Sequence, residues 1–428
     1  MQLKPILLAI LALTAGHITY ADQSFDYSAN LKDGFSLSGY GSSIALEGRI
    51  QYDFVNFEGF SAASQTKAFD NSNDSFVRRG NLGLSGVVHE VLPYEARVAY
   101  DRKTHDFSFD RAWVGFTGLE NIGVYAGRFK YNWGLEGATS SSWTTSNERP
   151  IMYDLTTGRD DLDYGYQITS SGLNHSLAVA LAKPYFDRDE ENPNKNFGYY
   201  AKFTFAPIIK PNEVLHLGLN YHDANPDNND TKIATRLETR SDQDDKLRFA
   251  EVNNTYQDRE AVAELAYQKN NLRLQGEYFY REVKGKDIGK KKTELQNVRL
   301  QGGYIQASYL WNASRKYNVA EGKWGKPTQF NTFEPFLRYE YSQIEPNEAA
   351  SKKEMNNNVD GIRAINREDK YKINSYVAGI NYFMNENIRF TLSYIYSELG
   401  NVDTSRNING IKVKDNNQTV VGRIQFVF

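Results

Sequence analysis

The sequence predicts an all-β protein, a transmembrane antiparallel β-barrel of about 16 strands with long outer loops and short periplasmic turns. Three observations carry this reading. Segments that alternate apolar and polar residues with a period of two recur along the chain. The connections between them are long and short in turn. Beyond the N-terminal segment, no run approaches the roughly 18 apolar residues that a spanning helix needs.

Residues 1–21 carry Lys4, an apolar run from Ile6 to Ala15 and the small-residue ending Thr19-Tyr20-Ala21, the pattern of a secretory signal peptide with Asp22 as the first mature residue. Residues 22–428 read as one barrel domain, because no linker interrupts the strand pattern. The first clear strand sets Ile44, Leu46, Gly48, Ile50, Tyr52 and Phe54 against Ala45, Glu47, Arg49, Gln51 and Asp53, one face for lipid and one for a watery lumen. Further alternating segments run through Phe76–Val88, Tyr94–Tyr100, Phe109–Phe116, Ile122–Phe129, Tyr164–Ser170, Ser176–Ala182, Tyr199–Phe205 and Leu215–Tyr221. They continue through Ala261–Tyr267, Leu272–Tyr280, Leu300–Tyr309, Phe333–Tyr341, Tyr376–Phe383 and Ile388–Tyr396. The last, Val420–Phe428, places Phe426, Ile424, Gly422 and Val420 on one face and Arg423 and Gln425 on the other, as in the closing strand of a barrel.

Long connections fall at residues 58–74, 130–163, 222–258, 342–372 and 398–416, with tight turns such as 89–93, 117–121, 268–271 and 384–387 between them. Residues 311–332 break the rule, a turn of about twenty residues on the short side. The chain is polar on average, which a barrel permits because only every second strand residue meets lipid. Its 29 Tyr and 24 Phe supply aromatic girdles at two interfaces. With 50 basic and 53 acidic residues the chain is near neutral, so overall charge gives no reason to invoke nucleic acid. There are no cysteines, hence no disulfides or thiolate sites.

Several motifs in these strands and loops are GRIQYDF at Gly48, FVRRGNLGL at Phe76, FDRAWVGFTG at Phe109, GRFKYNWGLEGATSSSW from Gly127, NERPIMYD from Asn147, VLHLGLNY at Val214, GGYIQASYLW at Gly302 and the closing GRIQFVF. Nearly the whole chain thereby resembles the phosphate-selective porin O and P family. The resemblance implies a 16-stranded homotrimeric channel in the outer membrane of a Gram-negative bacterium, seated in its lipid. An arginine ladder and a few central lysines would draw small anions through it, phosphate and possibly pyrophosphate or carboxylates. Carried over residue by residue, Arg49, Arg78 and Arg79 are ladder members, and Asp110 matches a lumen aspartate. Arg236 and Arg240 lie in a TRLETR stretch similar to the family's arginine-rich loop, with Glu238 where the phosphate-specific members have a third arginine. Gly137 stands where those members carry a central lysine. Their other central lysines fall in the long turn, which here offers Arg315, Lys316, Lys323 and Lys326.

The residues argue for anions independently. The long turn holds four basic residues against Glu321 alone, and basic charge folded into a low-dielectric pore concentrates anions. The lysine-rich stretch 282–299, with Lys290, Lys291 and Lys292, reads as solvated surface instead. Inward Arg97, Arg273, Arg281, Arg338, Arg389 and Arg423 meet inward Glu47, Glu95, Glu277, Glu334 and Glu340, a mixture of lumen salt bridges and ligand sites. Other anionic nutrients such as dicarboxylates, and a role as adhesin or receptor through the outer loops, remain alternatives. An enzyme is not expected, since His216 and His222 share a face without a nucleophile motif. No cofactor or metal is expected either; Asp227 and Asp230 sit in a polar loop without EF-hand spacing.

Overall fold

In the computed structural model, residues 35–59, 71–101, 105–156, 162–184, 198–226, 229–240, 246–288, 293–347, 350, 370–400, 404–405, 407–408, 411–412 and 414–428 are described. The signal-peptide segment, Asp227 and the Lys290–Lys292 run lie outside them. The barrel strands are β1 Ser42–Gly59, β2 Asn71–Val88, β3 Leu92–Asp101, β4 Asp106–Leu119, β5 Ile122–Arg128, β6 Leu162–Ser171, β7 His175–Pro184 and β8 Gly198–Lys210. They continue as β9 Glu213–Ala224, β10 Thr255–Lys269, β11 Leu272–Ile288, β12 Thr293–Tyr309, β13 Thr332–Pro346, β14 Tyr371–Phe383, β15 Ile388–Leu399 and β16 Asn416–Val427. Each pairs antiparallel with its neighbour in sequence, and β1 pairs with both β2 and β16, which closes the barrel. The sixteen segments expected from alternation are these sixteen strands.

Closure leaves no open edge for water or another chain to bind. Gly48 and Phe428 exchange both backbone hydrogen bonds, at 2.9 and 3.0 Å. Where β16 ends, the short strand Phe35–Gly39 takes over the edge of β1, pairing Phe35 with Leu46. Alternation becomes sidedness in this geometry. Ile50 and Phe54 are 52% and 51% exposed on the lipid face, while Gln51 and Asp53 between them are 0% and 1% exposed inside. On β16 the same rule exposes Val420, Ile424 and Phe426 and buries Arg423 and Gln425. Aromatic rings band the outside at two heights: Tyr309 packs on Trp311 and Phe333 stacks on Tyr382 near the short turns, and Tyr339, Tyr376 and Tyr396 form a second row.

The lumen is filled from two directions. The connection after β5 folds inward and carries two short helices, α1 Leu135–Ala138 and α2 Met152–Leu155. Gly134, at φ 64°, lets this inner loop turn where an added Cβ would strike the Tyr153 hydroxyl. The 222–258 connection, expected to lie outside, sends the hairpin of Thr231–Thr235 and Leu247–Val252 inward, and its Ile233, Leu237 and Phe249 form a buried cluster with Trp133, Met152 and Leu155. From the opposite end the long 311–332 turn also folds into the lumen, as a hairpin of Arg315–Asn318 and Lys323–Pro327. Its Trp324, 1% exposed, packs on Leu135, and its N–H meets the Thr139 hydroxyl at 3.3 Å.

A side chain at position 48 would collide with the Phe428 ring, whose Cζ lies 2.1 Å from the site of a Cβ. Gly48→Val is therefore expected to reduce the heat-modifiable folded band on semi-native gels, and combining it with Phe428→Ala should restore part of that band. Deleting Phe428, which removes both bonds to Gly48, should impair folding of the otherwise natural chain.

Candidate pore and its anion ladder

The inner loop lies against the β9–β16 wall and reaches the other wall through fewer bonds, from Arg49 and Gln51 of β1, Arg78 of β2 and Lys202 of β8. Its Gly134 N–H donates to Asn220 Oδ1 (3.0 Å), and the Leu135 and Glu136 N–H groups donate to Glu277 (2.7 and 3.1 Å). Ile151 N–H donates to Glu340 (2.6 Å). Arg389 donates to the carbonyls of Ser142 and Thr145, Arg423 to Asn147 O, and Arg281 to Leu155 O. Strands β9 to β16 thus bury their inward polar groups against the loop. The opposite wall, β1 to β8, faces a cavity of about 840 Å³. Nine basic residues line this cavity (Arg49, Arg78, Arg79, Arg97, Arg111, Lys130, Arg149, Lys202 and Lys323) against three acids, Glu95, Asp110 and Glu321. Such an excess concentrates anions in a confined space.

The ladder follows from strand register. Along β2, Arg79 pairs with Gln51, Asn81 with Arg49 and Gly83 with Arg97, so successive inward positions present one arginine every two residues, a rise of about 7 Å. Across β3 and β4, Arg97 faces Arg111. Arg97 lies over Gly83, its Nε 3.3 Å from where a Cβ there would sit. Adjacent charges both point inward because of bulges. Between the pairs Gln51–Arg79 and Tyr52–Val77 the register skips Arg78, and between Arg97–Arg111 and Val98–Phe109 it skips Asp110. A regular strand would turn one of each adjacent pair to lipid, and the extra residue cancels that.

The expected site residues divide by partner. Arg49 donates to the hydroxyls of Ser141 (2.5 Å) and Ser142 (3.3 Å), and among the described residues it has no carboxylate partner. It also borders a second cavity of about 300 Å³, where Lys326 meets Glu386 at 3.5 Å. Arg78 forks onto Glu148 at 2.7 and 2.9 Å, and Arg79 donates to Gln51 (2.9 Å) with Glu148 3.9 Å away. Asp110 is paired with Lys130 (3.0 Å) and lies 3.8 Å from Arg111. The arginines of the TRLETR stretch clamp the inward hairpin to the inner loop: Arg236 meets Asp154 at 3.2 Å, and Arg240 meets Glu148 at 2.8 Å. Burial by itself would raise the Glu148 carboxyl, yet Arg78, Arg240 and Arg79 together hold it well below the usual carboxylate range. Glu238 is paired with Arg338 of the wall; burial pushes its carboxyl well above the usual range. Asp230 accepts the Asn254 N–H.

Of the long turn's basic residues, Arg315 is locked on Glu334 (3.2 and 2.5 Å), Lys316 is exposed and outside the cavity lining, and Lys323 reaches the main cavity beside Glu321. Gly137 also lines the cavity, and the space where its Cβ would stand is taken by the Tyr153 ring, Cε1 at 2.6 Å. Sequence reasoning passed over four contributors. Arg149, in the NERP motif, holds the carbonyls of Glu136, Gly137 and Thr139 at the end of α1. Lys202 joins inner loop, long turn and wall through Gly134 O (2.9 Å), Gly322 O (3.3 Å) and Glu264 (3.4 Å). Arg111 and Lys130 complete the lining. Arg111 and Arg149 announce themselves in the sequence only as the second member of an adjacent charged pair. His216, held between Glu264 (2.7 Å) and Tyr317 (2.6 Å), and His222, stacked on Tyr200, are both buried on the lumen face.

Comparison with known proteins bears directly on this geometry. The family model described as "Phosphate-selective porin O and P" matches residues 44–428. Porin O of Pseudomonas aeruginosa is 27% identical over 415 residues, covering 90% of this chain and 88% of that protein. Among solved structures, an anion-selective porin from Comamonas acidovorans superposes with a TM-score of 0.56 at 12% identity, over 90% of this chain and 100% of the other. OmpT of Vibrio cholerae does so with 0.53 at 11%, over 91% and 99%. At these identities the two structures speak for the fold.

Two outcomes follow from the pairing pattern. Arg423, forked on Asp53 (2.6 and 2.7 Å) and buried, is part of the wall. Arg423→Ala should cost about 3–5 kcal/mol of barrel stability, seen as a lower unfolding temperature in detergent, and should change ion selectivity less than Arg49→Ala does. For Lys323, burial, with Arg111 and Lys202 repelling it, pulls the ammonium down to about 8. The group is charged below that pH and neutral above it, so anion preference should weaken between pH 7 and 9. Lys323→Ala should flatten that dependence, as read from reversal potentials across the range.

Proposed function

This chain belongs to the phosphate-selective porin O and P family and is an outer-membrane channel for anions of a Gram-negative bacterium, not an enzyme; within that class we propose a permissive path for small anions rather than a tight phosphate site. The ladder residues we assign to anion passage are Arg49, Arg78 and Arg79, with Lys323 from the long turn. Arg236, Arg240 and Lys326 contribute charge from within ion pairs, and Lys316 contributes least.

The observation that carries the proposal is the Arg49 rung, a guanidinium on a cavity wall whose side-chain partners among the described residues are serine hydroxyls. Its fork suits phosphate, pyrophosphate and carboxylate oxygens alike, while hydroxyls offer each of them one further donor. A site that strips phosphate of its hydration needs several convergent donors, and a missing donor leaves that desolvation uncompensated. Here Gly137 supplies none. Upper arginines are occupied by Glu148 and Asp154, which supports weak discrimination. We also propose export through residues 1–21 and a homotrimer seated in outer-membrane lipid, to be checked by N-terminal sequencing of the mature protein and native mass measurement in detergent.

Reversal potentials in a potassium chloride gradient should show anion preference, weakened by Arg49→Ala combined with Arg78→Ala and Arg79→Ala; cation preference of the unaltered channel would overturn the assignment. Titrating chloride conductance with phosphate should give weak block, with succinate and pyrophosphate competing comparably. Block at micromolar phosphate that Lys323→Ala abolishes would refute the permissive reading.

A further inference from the structure

Among the described residues, Glu148 is the carboxylate on which the upper rungs of the ladder converge. Arg78 binds it with two hydrogen bonds of 2.7 and 2.9 Å, Arg240 Nε with one of 2.8 Å and Arg423 Nη2 with one of 2.9 Å, and Arg79 Nη2 stands 3.9 Å away. These four arginines come from β2, β16 and the inward hairpin, and the acid comes from the inner loop. Asp53 also holds Arg423, and Asp154 lies 3.8 Å from Arg240. The side chain of Glu148 is 5% exposed; Arg78 and Arg79, which hold it, line the main cavity, and with Arg79 and Arg240 it borders a small space of about 10 Å³. Only its two methylenes distinguish this carboxylate from a free anion held by the same forks.

We infer that Glu148 is a resident anion, a specificity-determining residue that occupies the ladder's upper anion site and so keeps the channel permissive. The inference rests on the anion-channel reading above and deepens it. While Glu148 fills the site, Arg78 and Arg240 have their strongest acceptor already, and passing anions are held mainly by the rungs from Arg49 downward. Without it, Asp53 still holds Arg423 and Asp154 still lies beside Arg240, but Arg78 loses both of its side-chain hydrogen bonds, and a buried charge stripped of its partner recruits whatever counter-ion can reach it. A tetrahedral oxyanion offers several acceptor oxygens to convergent guanidinium forks, and chloride offers no such geometry. Truncating Glu148 should accordingly turn a through-path into a trap that prefers phosphate.

The test uses Glu148→Ala, which vacates the carboxylate's space, and the near-isosteric Glu148→Gln, which removes charge but keeps bulk and carries the measurement where the alanine variant fails to assemble. Chloride conductance of each channel in planar bilayers is titrated with inorganic phosphate, and reversal potentials are recorded on the same channels. Glu148→Ala should lower the half-blocking phosphate concentration at least tenfold, and Glu148→Gln should lower it by less. Added phosphate should raise the unfolding temperature of Glu148→Ala in detergent and leave that of the unaltered barrel in place. Unchanged phosphate block in assembled variants that remain anion-selective would overturn this inference alone, whereas cation preference of the unaltered channel would overturn it together with the reading on which it stands.

Discussion

A charge facing the inside of a barrel must be paired or kept wet, because moving it unpaired into a low-dielectric interior costs several kcal/mol. Two walls of this lumen answer the demand differently. On β9 to β16 the inward Arg273, Arg281, Arg338, Arg389 and Arg423 are buried and are paired with wall carboxylates or with the carbonyls of the inner loop. That wall is a polar core, and the loop lies on it because the loop supplies the missing acceptors. On β1 to β4 the loop supplies acceptors at few points, the Ser141 and Ser142 hydroxyls to Arg49 and the Glu148 carboxylate to Arg78. Arg49, Arg97 and Arg111 keep part of their surface in the cavity, and water or anions must complete their shells. The pore is thus the part of the lumen that the chain does not neutralise.

The same requirement explains why the filling comes from both ends. The inner loop meets the wall through polar bonds but also carries Trp133, Leu135, Met152 and Leu155, which no wall of inward polar residues can shelter. The outer hairpin covers Trp133, Met152 and Leu155 with Ile233 and Leu237, and the long turn covers Leu135 with Trp324. A turn of that length on the short side is otherwise a liability. Lys202, buried with its ammonium on carbonyls of both the inner loop and the turn, ties the two insertions together.

Strand existence, sidedness and the alternation of connections were legible because each depends on local period alone. Register was not, and the ladder is a matter of register. Nothing local says that Arg49 stands opposite Asn81 or Arg97 opposite Gly83. The pairs Arg78-Arg79 and Asp110-Arg111 did carry a readable signal, since two adjacent charges in a strand with one face in lipid demand a bulge or a cost. Partners were less legible still. Arg236, Arg240 and Arg315 resemble anion ligands by type and location, but each is held by an acid 19 to 92 residues away, which only the fold brings near. Glu148, in the NERPIMYD stretch, carries no local sign of its role, because its arginine partners Arg78, Arg240 and Arg423 lie 70 to 275 residues away in the chain.

The departure at Gly137 also gains a physical meaning that its letter alone lacked. Read by resemblance, the position is a missing lysine. In the fold it is a site that no side chain can enter while Tyr153 stands over it, and Tyr153 is itself fixed by donating to Glu277 at 2.7 Å, the carboxylate that receives the N–H groups of Leu135 and Glu136. Restoring a donor at 137 would push on Tyr153, and moving Tyr153 would loosen the anchor of α1 on the wall. The absent lysine, the tyrosine and the anchored loop therefore form one mechanical unit. Restoring the missing lysine on this scaffold would require repacking the inner loop, not one substitution, so the lack of a donor at 137 is built into how the loop is held.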